Sequence, residues 1–242
     1  MDAAATDPDP DLDAALARNL SMPEADRQRL AGAVAALHAA RPRIVAQQAE
    51  RVPGGADHLA DIVLHHSRRA LRRAAEQPDL PAALEALADG TIAQRLTLEG
   101  FTGSIPSDAA CAAGCFFCCV FVDRASATEA EIRAVHAAIA DLPVPDFHPD
   151  ACPALDPETK ACRAYEVRPL MCRDVTAPRV EPCERSYAAG HALPEAEFVK
   201  SGGELIFYGV NWLLVVLEAP DLLRIHDLKA SLRAGGTPVP LP

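Results

Sequence analysis

All eight cysteines of this 242-residue chain lie between positions 111 and 183, and the residues before and after that stretch hold none. Four of them crowd into "CAAGCFFCC", Cys111, Cys115, Cys118 and Cys119, with spacing C-x3-C-x2-C-C. The other four, Cys152, Cys162, Cys172 and Cys183, are spread out. Thiolates two to four residues apart can converge on one centre from a single turn or loop. The start, "MDAAATDPDPDLDAALARN", is acidic and lacks the apolar stretch of a secretory leader. The longest apolar run, "LIFYGVNWLLVVL" (Leu205 to Leu217), is too short for a bilayer and contains Asn211. A cytoplasmic protein is the expectation, with no membrane association. In that compartment eight cysteines point to metal or redox chemistry rather than to a disulfide framework.

The vicinal pair Cys118–Cys119 constrains the site further. On a strand the two side chains face opposite sides. On a helix they diverge by about 100° while both sit one turn after Cys115. In either case one of the pair serves a different partner. The tight set is therefore expected to supply about three ligands to one centre, which the scattered set completes. Such soft donors select zinc, cuprous copper or an iron–sulfur cluster. The competing reading for a single scattered cysteine is a small buried hydrophobe.

The surrounding sequence reads as mainly α with small, irregular β content. Half of the residues are apolar but only 5% are aromatic, so the core is built from Ala, Leu and Val, a composition that favours helix. The formal net charge of −11 argues against a general nucleic-acid binder. Residues 1–20 read as an acidic, disordered tail. Residues 21–104 read as a helical region, beginning with a capping box at Ser21 and Glu24 and a helix ending near Ala40, ahead of Pro42. A second piece covers 44–51. A helix over 57–76 places Leu59, Ile62, Val63, His66 and Ala70 on one face, and a short helix follows near 80–88. Residues 105–185 form the cysteine region. There "FFCCVFV" is expected to be part strand. A second capping box, "TEAE" at 128–131, precedes a helix carrying Ile132, Val135, Ile139 and Leu142, and "LDPETK" is a turn joining two short strands. Residues 186–242 hold two helices, near 203–218 and 221–233. The expectation is thus a cysteine-rich metal-binding core flanked by helical regions.

"CAAGCFFCC" followed by "CPALDPETKACRAYEVRPLMCR" resembles the YkgJ-type cysteine-cluster proteins, a zinc- or iron-chelating domain. The matching positions are Cys111, Cys115, Cys118 and Cys119, then Cys152, Pro153 and Leu155, then Cys162, Tyr165, Arg168, Pro169, Cys172 and Arg173. The resemblance covers about residues 105–185. "CRDV" departs from it, since the family more often has an aromatic or large apolar residue soon after that arginine. The resemblance implies metal binding. In that picture Arg168 and Arg173 donate to cluster sulfurs or offset thiolate charge, and Tyr165 donates its hydroxyl to a ligand. Surface ion pairs to Glu166 or Asp174 are the plain alternative for the arginines.

The resulting expectation is a metal-binding protein whose iron–sulfur cluster or zinc has a structural or redox role, with the cluster favoured. All eight cysteines are candidate ligands, and a protein partner is allowed for. The alternatives are a protein-modifying enzyme, by likeness to flagellin lysine N-methylase, and a metal carrier or sensor. Among the histidines, His148 is the best ligand candidate, and His65 and His66 lack partners at metal spacing. The arginines of "HHSRRALRRAA" (residues 65–75) read as a solvated face or as a dock for acidic segments.

Overall fold

The computed structural model describes residues 10–50, 54–100, 115–121, 125–177, 179–190, 199–200, 204–222 and 224–241. Its helices are α1 (Pro10–Arg18), α2 (Glu24–Ala49), α3 (Ala56–Ala74), α4 (Leu80–Ala88), α5 (Thr91–Gly100), α6 (Phe117–Phe121), α7 (Glu129–Ile139), α8 (Leu170–Asp174), α9 (Glu181–Ala189), α10 (Glu204–Val216) and α11 (Leu228–Arg233). Four short strands accompany them: β1 (Ser126–Thr128), β2 (Val175–Thr176), β3 (Val199–Lys200) and β4 (Ile225–Asp227). The protein is mainly helical, and helices flank the cysteine-rich region. The chain divides into two compact units: residues 1–96 with 204–223, and residues 97–203 with 224–242.

The first unit packs α2, α3 and α10 together. Helix α2 runs unbroken through Pro42, where a stop was expected. Pro42 removes one intrahelical hydrogen bond. The buried stripe Leu30, Leu37, Ala40, Ile44 and Gln48 nevertheless continues on both sides of it, and its burial outweighs that loss. Ser21 does not cap this helix. Pro23 occupies the cap position, and the Ser21 hydroxyl donates to Asn19 Oδ1 at 2.6 Å. The buried face of α3 is centred on Ala60, Val63, Ser67, Ala70 and Ala74, one position round from the expected stripe. The reason is α10. Ser67 Oγ donates within bonding distance of Val63 O and Gly209 O, both at 2.9 Å, and a Cβ on Gly209 would stand 2.7 Å from His66 Cβ. Two backbones meet there, so small residues line the crossing.

The second unit holds the cysteines. Within "FFCCVFV", where part strand was expected, Phe117–Phe121 forms the helical turn α6. Strand propensity depends on having a partner to pair with; here Val120 is fully buried from a helical turn, with Phe116 and Cys119 packed on the same core. Strand β1 pairs antiparallel with β4, and β2 with β3. Thr128 and Glu131 form the expected capping box of α7, whose Ile132, Val135 and Ile139 are buried. Leu142 lies past the end of α7 and is largely exposed. "LDPETK" turns on Asp156, whose Oδ1 accepts from the N–H of Glu158 and Thr159, and the chain closes through a bridge between Leu155 and Cys162. The last helix is shorter than expected. Pro220–Leu222 is a 3₁₀ turn and 225–227 is β4, because β1 offers that segment a partner; α11 starts at Leu228, capped by Asp227, whose carboxylate accepts from Ala230 N–H at 2.8 Å.

Candidate metal centre

Six cysteines line one pocket of about 90 Å³ within the second unit: Cys115, Cys118, Cys119, Cys152, Cys162 and Cys172. They come from four separate stretches. Cys115 precedes α6, and Cys118 and Cys119 lie on it. Cys152 sits in the loop after α7, Cys162 leaves the Asp156 turn, and Cys172 is on α8. Val135, Leu155 and Leu228 belong to the apolar core behind them. Tyr165, Arg168 and Pro169 complete the wall.

Backbone hydrogen bonds join the stretches. Cys152 N–H donates to Cys119 O at 3.0 Å, which ties the loop to α6. Arg163 N–H donates to Ala154 O at 2.8 Å and its guanidinium to Pro153 O at 2.6 Å, which closes the Asp156 turn behind Cys152 and Cys162. Helix α8 is held at its start. Leu170 N–H donates to Glu131 Oε1 at 2.7 Å, and Cys172 N–H to Pro169 O at 3.0 Å.

The thiols share one electrostatic situation. The neighbouring Cys118 thiol, together with burial, holds the Cys119 pKa well above its ordinary value. Burial pushes Cys152 up to about 11, opposed in part by Lys229 and Arg233. Burial raises Cys162, and the charge of Arg168 works against that rise. Burial, then Cys152 and Cys118, raise Cys172. Neighbouring thiols thus add to the cost of ionising each of these four, and a cation among them would offset that cost.

The chemistry of this donor set fits a thiophilic metal. Among the described residues, however, no three Cys, His, Asp or Glu side chains are already arranged around a single ion.

The remaining candidates lie as follows. The Arg168 guanidinium stacks 3.7 Å over the Tyr165 ring at the pocket wall, and its buried Nε has no hydrogen-bond partner among the described residues. Arg173 turns to the backbone instead, donating to Arg168 O at 2.9 Å and to Glu166 O. Cys183 on α9 is buried against Ala177, Phe117 and Cys118 and is not part of the pocket wall. Cys111 lies outside the described residues. His148 accepts from Asp150 N–H at 3.1 Å and leans on Tyr187, and it is not in the pocket wall. His65 and His66 belong to α3 of the first unit.

Three supporting residues were not legible as such in the sequence. Glu131 was visible as half of a capping box, but nothing signalled its bond to Leu170. Lys229 and Arg233, on α11, reach Val120 O, Asp150 O, Pro149 O and Ala151 O, far from them in sequence.

Residues 110–189 match the family model CxxCxxCC, described as a "putative zinc- or iron-chelating domain", over 80 of the 242 residues. That model describes the YkgJ-type cysteine cluster whose spacing this segment resembles. No curated protein and no solved structure matches the chain.

Proposed function

We propose that the pocket is a thiolate metal centre and that its resident is an iron–sulfur cluster with a structural or redox role. One observation carries this reading: six thiols from four stretches line a single cavity. Four thiolates saturate one zinc ion. Six, around a space of about 90 Å³, suit a larger polynuclear guest whose own sulfides separate the cysteines. Arg168 would offset the negative charge of such a guest, since its Nε is buried beside the thiols with no acceptor of its own among the described residues. Cys115, Cys118, Cys119, Cys152, Cys162 and Cys172 are the ligand candidates. The test is anaerobic purification with visible absorption, metal analysis and acid-labile sulfide. Broad visible absorption with iron and sulfide in similar amounts is the expected result. Colourless protein with zinc and no sulfide replaces the cluster with zinc, and protein free of both metals after reconstitution overturns the reading.

A further inference from the structure

The matched family segment ends at residue 189, yet one residue of the pocket wall, Leu228, lies beyond it. Leu228 of α11 lines the pocket, and its N–H donates to Ala125 O at 2.8 Å. β4 pairs with β1 immediately before it. The next residue, Lys229, is buried, and its ammonium donates to Val120 O and to Asp150 O, both at 2.9 Å. One carbonyl is adjacent to Cys119 and the other lies two residues before Cys152. Between them runs the Cys152 N–H bond to Cys119 O. One turn further on, Arg233 donates to Pro149 O and Ala151 O at 2.9 and 3.0 Å.

A lysine is rarely buried unless its charge is used. Here the Lys229 ammonium spans two backbone segments that bear pocket thiols. We propose that Lys229 is a positioning residue for the metal centre: it staples the Cys118–Cys119 turn to the Cys152 loop, so that helix α11, outside the matched domain, completes the site. The proposal rests on the metal reading above. Arg233 reinforces the staple on the loop side.

The experiment compares wild type with Lys229→Met, which keeps the stem and removes the donors, with Lys229→Gln, which keeps one donor, and with Arg133→Met, an exposed control on α7. Metal loss to a chelator is timed on anaerobically loaded protein, and exchange of the Cys152 amide is followed in metal-free protein. Loss about tenfold faster in Lys229→Met is expected, with an intermediate rate in Lys229→Gln and none of this in the control. The Cys152 amide should exchange faster in the same order, with the far-ultraviolet helix signal unchanged. If Lys229→Met does not fold, the Lys229→Gln rate and amide decide. Wild-type rates of metal loss and of exchange in the variants overturn the proposal. A wild-type chain that takes up no metal sinks the metal reading alone, and the Cys152 amide then still decides whether Lys229 joins the two segments.

Discussion

Glu131 and Leu170 meet across 39 positions: Glu131 Oε1 accepts from Leu170 N–H at 2.7 Å while Oε2 accepts from Thr128 N–H at 2.9 Å. One carboxylate thus caps two helices, α7 from within and α8 from outside, and α8 carries Cys172. The side chain is almost fully buried, and burial raises its pKa. Glu131→Gln places an amide NH2 against one of these donors. The expected loss is about 1–3 kcal/mol, read by chemical denaturation of metal-free protein. An unchanged midpoint would mean that α8 is held by other contacts.

The vicinal cysteines and Cys183 should differ in consequence. Cys119 packs on the main core and lines the pocket, Cys118 lines the pocket and packs toward Cys183, and Cys183 stands outside the pocket wall. Cys119→Ser is expected to abolish metal loading, and Cys183→Ala to retain it with reduced stability. Metal content after anaerobic reconstitution separates the two. Loss of metal from Cys183→Ala would bring Cys183 into the ligand set.

Metal removal should act on one unit. Between Cys152 and Cys172 the chain is turns, the Leu155–Cys162 bridge, one 3₁₀ turn and the start of a five-residue helix, and thiolate–metal bonds can contribute on the order of 10 kcal/mol to such segments. The first unit has long helices with continuous buried stripes of its own. Chelation is expected to open sites between Cys119 and Cys183 to protease while most of the helical circular dichroism survives. Mapping the cuts by mass spectrometry checks this; a metal-free chain that resists cleavage there would assign the segment's stability to packing.

Gly209→Ala places a methyl group 2.7 Å from His66 Cβ and 2.8 Å from Ser67 N, and backbone cannot step aside as a side chain can. The α3–α10 crossing must widen, at a cost of about 1–3 kcal/mol. The melting temperature should fall without any change in metal content.

His66 gives the first unit an acid sensitivity. Burial, followed by the charges of His65 and Arg69, lowers its pKa to about 4. Between about pH 6.5 and 4 the unfolded chain binds the proton that the folded chain refuses, so stability falls as the pH falls. The slope is at most about 1.4 kcal/mol per pH unit, and less because the ring keeps some contact with water. His66→Gln should flatten the denaturation midpoint against pH over this range, and an identical slope in the variant would place the sensitivity elsewhere.

Helices with their own apolar period are legible in the amino-acid order. Ile132, Val135 and Ile139 recur at helical spacing behind a Thr128–Glu131 box, and α7 forms there because every one of those signals is local. The cysteine spacing is equally plain, and it matches the family domain. Local rules fail where a distant partner supplies the energy. Pro42 does not stop α2 because α3 and α10 bury the stripe on either side of it. Residues 225–227 are strand because β1 lies alongside them.

The amino-acid order by itself determined that this chain is mainly helical and that its thiols are concentrated in one stretch, since propensity, capping and spacing are properties of neighbours. Only the tertiary structure decided which thiols share a pocket, that Arg173 turns to backbone while Arg168 stacks beside the thiols, and that Lys229 bridges Val120 and Asp150. Those are meetings between residues tens of positions apart. They exist because burying Leu228 and Leu232 in the core carries α11, and the cations on it, back against the cysteine loop.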